Sequence, residues 1–216
     1  VIVYTAYSRV GPGVALAFTE DFQHFERFGM IMAPEDKDAA LFPHRIGGHW
    51  ALIHRPVSAP GAHMWISYSP DLRHWGSHKL MLEARHGGWW DANKIGLSPP
   101  PIETSEGWLV IYHGVRQNAA GSIYRLGLAL FDLQMPEHCL KRSDEWIFGP
   151  QEVYEKRGDV DNVVFPCGTT LAPDGDTLHL YYGAADTSIA MATGSIRAIL
   201  DWLERNGDQP AVILNG

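Results

Sequence analysis

The chain has 216 residues and a formal net charge of −8, from 17 Lys plus Arg against 25 Asp plus Glu. This length is enough to bury a sizeable core. The sequence contains no run of 18 apolar residues, so it predicts no membrane-spanning helix. The acidic balance argues against nucleic-acid binding, which requires a basic surface to meet phosphates.

The first predicted element is a strand over Val1–Tyr7, which is rich in β-branched and aromatic residues. No cap, turn or polar leader precedes it. Because a natural domain rarely opens inside a strand, we expect that an upstream portion of the protein is not included in this sequence.

Two kinds of segment then recur along the chain. A turn followed by an aromatic and aliphatic run appears at residues 47–55, 107–114 and 176–183. A strand followed by an acidic turn and an aromatic anchor appears at residues 17–25 and 67–75. The repeat interval of roughly 50 to 70 residues is typical of propeller blades with about four strands each.

A helical pattern appears only near the end, over Ser195–Arg205. Its apolar stripe at i, i+3, i+4 and i+7 consists of Ile196, Ile199, Leu200 and Leu203. We therefore predict an all-β chain with about four propeller blades visible and a C-terminal helix, and we treat residues 1–216 as one partial propeller domain. A β-sandwich is the main alternative, but the repeated segments favour the propeller.

Charged residues near two of the predicted strands are candidates for a binding site. Lys37, Asp38 and Arg45 lie near the start of an apolar strand, and a solvated turn is an equally good explanation for them. Arg55 ends a strand of Trp, Ala, Leu and Ile, and burying its charge without a partner would be costly. That partner is either a substrate anion or a structural carboxylate.

Further candidates lie on the later strands. Lys94 stands between two tryptophans and the stiff run Pro99–Pro101, which suits a fixed cation better than a mobile surface lysine. His113 ends a strand beside a glycine, where a structural histidine is the commoner outcome. Tyr124 lies on a strand and by default packs in the core. Asp186, flanked by small residues, suits either sugar hydroxyls or the capping of a turn.

Other chemistries find little support in the sequence. The 11 His residues show no zinc-ligand spacing, and no nucleophile or nucleotide-binding motif is present. Cys139 and Cys167 are too few for a disulfide framework. The 24 aromatic residues (8 Trp, 8 Tyr, 8 Phe) are compatible with carbohydrate stacking or with an aromatic β core. We predict no metal, no nucleic-acid or membrane partner and a cytoplasmic location, and we leave a homo-oligomer open.

Many separated motifs, in order along the chain, resemble glycoside hydrolase family 130. They are YTAYS (residues 4–8), KDAALFP (37–43), HRP (54–56), SPDLRHW (69–75), KIGLSPPPI (94–102), GWLVIYHGV (107–115), YRLGLALFDL (124–133), NVVFPCG (162–168) and YYGAADT (181–187). The resemblance implies a five-bladed β-propeller that acts on β-mannosides. Most characterised members are inverting phosphorylases and some are hydrolases.

The resemblance also implies roles for particular residues. Its phosphate-binding candidates are Arg45, Arg55, Lys94, His113 and Tyr124. Its substrate-binding candidates are Lys37, Asp38, Phe165 and Asp186. The family's general acid is an Asp in a Glu-Asp-Pro-Arg element that precedes the YTAYS-type strand. This sequence contains no such element, so we expect the catalytic Asp upstream of Val1.

These features together predict an inverting β-mannoside phosphorylase that converts β-mannosides or manno-oligosaccharides to α-mannose 1-phosphate. Inorganic phosphate would be the co-substrate, and no further cofactor is expected. A β-mannosidase of the same family, or a carbohydrate-binding propeller without catalysis, are the alternatives.

Overall fold

The computed structural model describes residues 1–57, 61–119 and 121–208. Strands dominate it and form four sheets. Paired strands are antiparallel, and most of them follow one another along the chain, as expected where short turns join them. The exceptions lie in the third sheet. The prediction of an all-β, propeller-type fold with about four blades is confirmed.

The first two sheets are simple meanders. The first sheet contains, in order, β1 (Ile2–Ser8), β2 (Gly11–Phe18) and β3 (Glu26–Met32). The second sheet contains, in order, β4 (Asp36–Leu41), β5 (Trp50–Pro56), β6 (Met64–Ser69) and β7 (Gly76–Leu82).

The third sheet is the largest and carries the longest hairpin. It contains β8 (Lys94–Gly96), β9 (Ile102–Glu103), β10 (Trp108–Asn118), β11 (Gly121–Phe131), β12 (Cys139–Ser143) and a final short strand, β16 (Gly207–Asp208). Here β10 pairs with β8 as well as β9, and the last strand pairs with β12. The fourth sheet contains β13 (Val164–Leu171), β14 (Thr177–Ala184) and β15 (Ser188–Ser195). Two helices, α1 (Val153–Lys156) and α2 (Ile196–Asn206), complete the described elements.

The repeated acidic turn of the sequence has a physical explanation. After β2, Oδ1 of Asp21 accepts hydrogen bonds from the backbone N–H groups of Gln23 and His24. After β6, Oδ1 of Asp71 accepts the equivalent pair, and one of its donors is His74. An Asp that accepts from the backbone two and three residues ahead closes a tight turn, which is why the motif ends a strand in both sheets.

Hydrophobic contacts hold the sheets against one another in chain order. One cluster joins the first and second sheets through residues such as Leu16 and Leu52. A second joins the second and third sheets around Ile53 and Trp108. A third joins the third and fourth sheets and includes Leu200 of α2. The second and third sheets therefore pack between two neighbours, and the first and fourth sheets each pack against one, as successive blades of a propeller do.

Helix α2 begins where the sequence predicts. Oγ of Ser195 accepts a hydrogen bond of 3.1 Å from the backbone N–H of Ala198, which caps the first turn. Ile196, Leu200 and Leu203 of the predicted stripe are buried. Within the described ranges, no helix is both long enough and apolar enough to cross a membrane.

Candidate functional site

The first half of the site comes from the pairing of β4 with β5. Lys37 lies directly opposite Arg55, but the register then shifts before the next pair, Ala40 and Ile53. Within this irregular stretch Asp38 has a φ of 51°, a left-handed conformation that non-glycine residues seldom adopt. The shift allows the Asp38 carboxylate to reach Arg55, with Oδ2 2.7 Å from Nη2.

The second half comes from β8, β10 and β11. Lys94 lies opposite Val115, which in turn lies opposite Tyr124. His113 is two residues before Val115, so its side chain leaves the same face of the sheet as those of Lys94 and Tyr124. The Lys94 ammonium lies 5.6 Å from the centroid of the Tyr124 ring, a distance that permits a cation–π contact. The His113 and Tyr124 rings lie 6.3 Å apart, centroid to centroid.

A single glycine allows these two halves to meet. Nε2 of His113 lies 3.4 Å from Oδ2 of Asp38. Gly96, which pairs with His113 on the adjacent strand, faces the same place. A Cβ atom on Gly96 would lie 2.5 Å from Oδ2 of Asp38 and 3.0 Å from Cε1 of His113. The close approach of the two sheets therefore requires glycine at this position. We call the resulting group the cationic cluster, and its members are Lys37, Asp38, Arg55, Lys94, His113 and Tyr124.

The electrostatics of the cationic cluster centre on Asp38. Burial raises the pKa of this carboxyl, but the His113 hydrogen bond and the positive charges of Arg55 and Lys37 outweigh burial and lower the pKa to about 2. Asp38 is therefore ionised at neutral pH. Its one negative charge faces the positive charges of Arg55, Lys37 and Lys94, so the cluster keeps a local excess of positive charge.

Two buried nitrogen atoms of the cluster have no hydrogen-bond partner among the described residues. They are Nε of Arg55 and Nδ1 of His113. The Arg55 side chain is only 6% exposed, so water does not readily compensate for the missing bond. Because buried polar atoms are nearly always paired in folded proteins, these two nitrogens point to a ligand that takes up their hydrogen bonds.

The structure does not bring Arg45 into this group, so a phosphate-binding role for this residue stays a prediction that the geometry does not support. Arg45 is exposed in the loop between β4 and β5, where it donates a hydrogen bond of 2.7 Å to the carbonyl of Gly48. Its guanidinium also lies 4.9 Å from the Trp50 ring centroid. Arg45 precedes the start of β5 at Trp50, whereas Arg55 lies near the end of that strand. The distance from Trp50 to Arg55 is about five residues, or roughly 16 Å along the strand. Arg45 therefore supports the loop rather than the cluster.

Phe165 and Asp186 lie on the fourth sheet and not on the two sheets that form the cationic cluster. Phe165 pairs with Gly183, and a Cβ on Gly183 would lie 2.4 Å from the phenyl ring. Asp186 is exposed in the turn between β14 and β15, with a left-handed φ of 52°. The turn is closed by the backbone N–H of Thr187, which donates to the carbonyl of Ala184 at 3.1 Å. A role of either residue in holding a sugar stays a prediction.

A buried polar network supports the strand that carries Lys94, and sequence reasoning missed it. Oδ2 of Asp91 accepts hydrogen bonds from the Tyr112 hydroxyl at 3.0 Å and from Nη2 of Arg142 at 2.7 Å. Next to it, the N–H of Asn93 donates to the carbonyl of Val115 at 2.9 Å. Asp91 and Asn93 stand within three residues of Lys94 in the sequence. This closeness was the signal from which a supporting role for them could have been predicted.

The arrangement suits an oxyanion such as phosphate. Arg offers a planar fork of donors, Lys a point charge and Tyr a hydroxyl, which together match an anion with several oxygens. Asp38, with its pKa of about 2, holds no proton at neutral pH and so does not act as a general acid. In the part of the chain that the structure describes, no group of three or more His, Cys, Asp or Glu residues is placed to hold a metal ion.

Comparisons with known proteins show the family of the chain. A family model described as beta-1,4-mannooligosaccharide phosphorylase matches residues 1–205. The chain is 43% identical over 203 residues to a beta-1,2-mannobiose phosphorylase from Listeria innocua, covering 93% of this chain and 56% of the relative. It is 36% identical over 196 residues to a beta-1,4-mannooligosaccharide phosphorylase from Ruminococcus albus, covering 89% and 58%.

The fold is similar to a solved structure of the same kind. The Listeria innocua beta-1,2-mannobiose phosphorylase, in complex with beta-1,2-mannobiose, superposes with a TM-score of 0.87 at 42% sequence identity. The match covers 94% of this chain and 56% of that one. The chain thus spans just over half the length of the relatives it matches.

Proposed function

Because the chain belongs to glycoside hydrolase family 130, we propose that the protein is an inverting β-mannoside phosphorylase and that the cationic cluster is its phosphate site. The observation that carries this proposal is the buried Nε of Arg55, which has no partner among the described residues. It lies in a cluster where Asp38 links Arg55 to His113 and where Lys94 lies over the Tyr124 ring. A hydrolase would instead place a carboxylate free to activate water at this position. The Asp38 carboxylate is already engaged by Arg55 and His113.

In the proposed reaction phosphate supplies the nucleophile, and an acid must supply a proton to the leaving oxygen. A phosphate oxygen attacks the anomeric carbon of the mannosyl unit, and the bond from that carbon to the leaving oxygen breaks. Attack from the opposite face inverts the configuration and gives α-mannose 1-phosphate. The leaving oxygen must take up a proton, directly or through a sugar hydroxyl. The family resemblance assigns this proton to a separate Asp, in agreement with the low pKa of Asp38.

The protein must attract an anion although its net charge is −8. At long range this charge repels a phosphate dianion, so nearby cations have to reverse the sign of the potential within the site. Arg55 can donate from its guanidinium fork, and Lys94, held against Tyr124, supplies a fixed positive charge. Lys37, on the strand opposite Arg55, adds to the same field.

For the sugar we propose a β-linked mannoside. The named relatives are phosphorylases of beta-1,2-mannobiose and of beta-1,4-mannooligosaccharides, which supports mannose as the transferred unit and leaves either linkage as a substrate. We assign the mannosyl unit to the side of the cluster that faces the fourth sheet, with Phe165 and Asp186 as its contacts. A cytoplasmic location and a homo-oligomeric state remain predictions from the sequence.

A product assay tests the proposal. The enzyme is incubated with β-1,2-mannobiose or β-1,4-mannobiose, with and without inorganic phosphate, and the products are separated. We expect mannose 1-phosphate to form only when phosphate is present. Release of free mannose at a rate that does not depend on phosphate would overturn the proposal in favour of hydrolysis.

A further inference from the structure

A row of four polar side chains crosses the second sheet, one from each strand. Oδ2 of Asp36 on β4 lies 2.6 Å from Nδ1 of His54 on β5. Nε2 of His54 lies 2.7 Å from Oγ of Ser67 on β6. That Oγ lies 2.6 Å from Nδ1 of His78 on β7. Asp36, His54 and Ser67 are buried, whereas His78 is exposed. We call these four residues the polar row.

The polar row has the connectivity of an Asp–His–Ser triad, but its setting excludes nucleophilic catalysis. The Ser67 hydroxyl lies in the middle of the sheet, and Ser67 is 0% exposed. A nucleophile must reach its substrate, and Ser67 is enclosed by its own sheet. The polar row therefore has a structural role, and its position in the sheet indicates which strands it holds together.

The row begins next to the irregular stretch of β4 that carries Asp38. The ladder between β4 and β5 is interrupted between Lys37 and Ala40. Before the interruption, the start of β4 is joined to β5 by two residue pairs, and the N–H of Val57 donates to the carbonyl of Glu35 at 3.0 Å. The bond from Asp36 to His54 ties this short start to β5 by a second route. The residues next in sequence, Lys37 and Arg55, belong to the cationic cluster. A shift of one strand end against the other would move Asp38 away from Arg55.

We propose that the polar row positions the cationic cluster, and that His54, through its bond to Asp36, is a positioning residue for the pairing of Arg55 with Asp38. The part of this inference that concerns phosphate rests on the proposed function. The part that concerns the pairing of Arg55 with Asp38 stands on the geometry alone, because the 2.7 Å contact joins two side chains of the chain itself.

Two substitutions of His54 separate its two hydrogen bonds. A carboxylate oxygen accepts hydrogen bonds, so Nδ1 of His54 donates to Asp36. In H54N the amide nitrogen stands close to the position of Nδ1 and keeps this bond. In H54Q the longer side chain places its amide near the position of Nε2, which keeps the bond to Ser67 and loses the one to Asp36.

The first measurement is the carbon-13 signal of the Asp38 carboxyl at pH 4, which reports its ionisation without phosphate or sugar. With its pKa held at about 2, Asp38 is ionised at this pH in the unaltered chain, and we expect the same in H54N. In H54Q the Arg55 partner is less well held, so Asp38 should be partly protonated. Phosphate affinity, measured by calorimetric titration, should fall about tenfold in H54Q and stay nearly unchanged in H54N.

An exposed pair elsewhere in the chain provides the matched control. Nδ1 of His74 lies 2.7 Å from Oδ2 of Asp71, with the His74 side chain open to solvent. H74N and H74Q should leave both readouts unchanged. D36A removes the oxygen that accepts from His54, so it is a second route to the same loss and should behave like H54Q.

The inference and the proposed function fail in different ways. If H54Q and D36A keep Asp38 ionised at pH 4, the positioning role of the row is wrong. If H54Q does not fold while H54N does, the row is a requirement of the whole sheet, and that result also overturns the proposal. If the unaltered chain binds no phosphate, the proposed function fails, while the Asp38 signal still decides the role of the row.

Discussion

The guanidinium of Arg55 lies 2.7 Å from the carboxylate of Asp38, across a strand pair whose ladder is interrupted at Asp38 itself. The contact answers the question that the sequence left open about the partner of this buried arginine. The partner is a carboxylate for one nitrogen, and a second nitrogen, Nε, has no partner among the described residues. One side chain therefore combines a structural contact with a buried donor that can serve the proposed phosphate site.

The glycine between the two halves of the cationic cluster gives the first prediction. In G96A the new Cβ would lie 2.5 Å from the Asp38 carboxylate, so Asp38 and His113 must move apart. We expect phosphate affinity to fall at least about tenfold. Gly76, which has nothing within 4 Å of its Cβ position, provides the control. Calorimetric titration of G96A and G76A with phosphate checks this, and equal affinity in both variants would contradict it.

The second prediction concerns acid stability. The folded-state pKa of Asp38 is lowered from 3.8 to about 2, so its ionisation stabilises the fold above pH 4. This contribution, about 2 kcal/mol, is lost as the pH falls from about 4 to about 2. D38N cannot titrate at this position, so its deficit in unfolding free energy should be larger at pH 5 than at pH 2.5. Urea denaturation measures both values. A deficit that is the same at the two pH values would show that Asp38 is not held in this way.

Removal of the lysine charge gives the third prediction. K94A should weaken phosphate binding by about 2 kcal/mol or more, because a desolvated charge contact is lost. K94R keeps a positive charge but changes the donor geometry, so an intermediate loss is expected. K141A is a suitable control, since Lys141 pairs with Glu204 at 3.1 Å and lies outside the cationic cluster. The dissociation constants of the three variants decide the matter, and an unchanged value for K94A would remove Lys94 from the site.

The buried network behind Lys94 gives the fourth prediction. Asp91 is 0% exposed, and R142M would leave its charge without its nearest cation, at a cost of about 3 to 5 kcal/mol in unfolding free energy. R197M breaks a pair with Asp176 in which the arginine is exposed, so it should cost under about 1 kcal/mol. Urea denaturation of the two variants tests the contrast, and equal costs would argue against a structural role for the network.

Much of the fold could be predicted from the sequence, because the signals are local. Alternating apolar residues and the Asp turns at residues 21 and 71 mark strand ends, and the stripe from Ile196 to Leu203 marks the helix. The short helix α1 went unpredicted. Its four residues are too few for a helical period to show. The backbone N–H groups of Gln151 and Glu152 donate to Oε2 of Glu155, and these hydrogen bonds help to hold the helix.

The site was harder to predict than the fold. Arg45 and Arg55 look alike in the sequence, since each stands near an end of the same strand. Only the pairing of β4 with β5 shows that Arg55 reaches Asp38 while Arg45 binds its own loop at Gly48. The register shift at Asp38 and the need for glycine at position 96 depend on contacts between distant segments, which no local pattern encodes.

The most direct test of the account is a crystal structure of the protein soaked in inorganic phosphate. We predict a phosphate within hydrogen-bond distance of Nε of Arg55, with Lys94 and Tyr124 as further contacts. A phosphate bound at Arg45 instead, or an Arg55 whose guanidinium turns away from Lys94, would contradict the central claim.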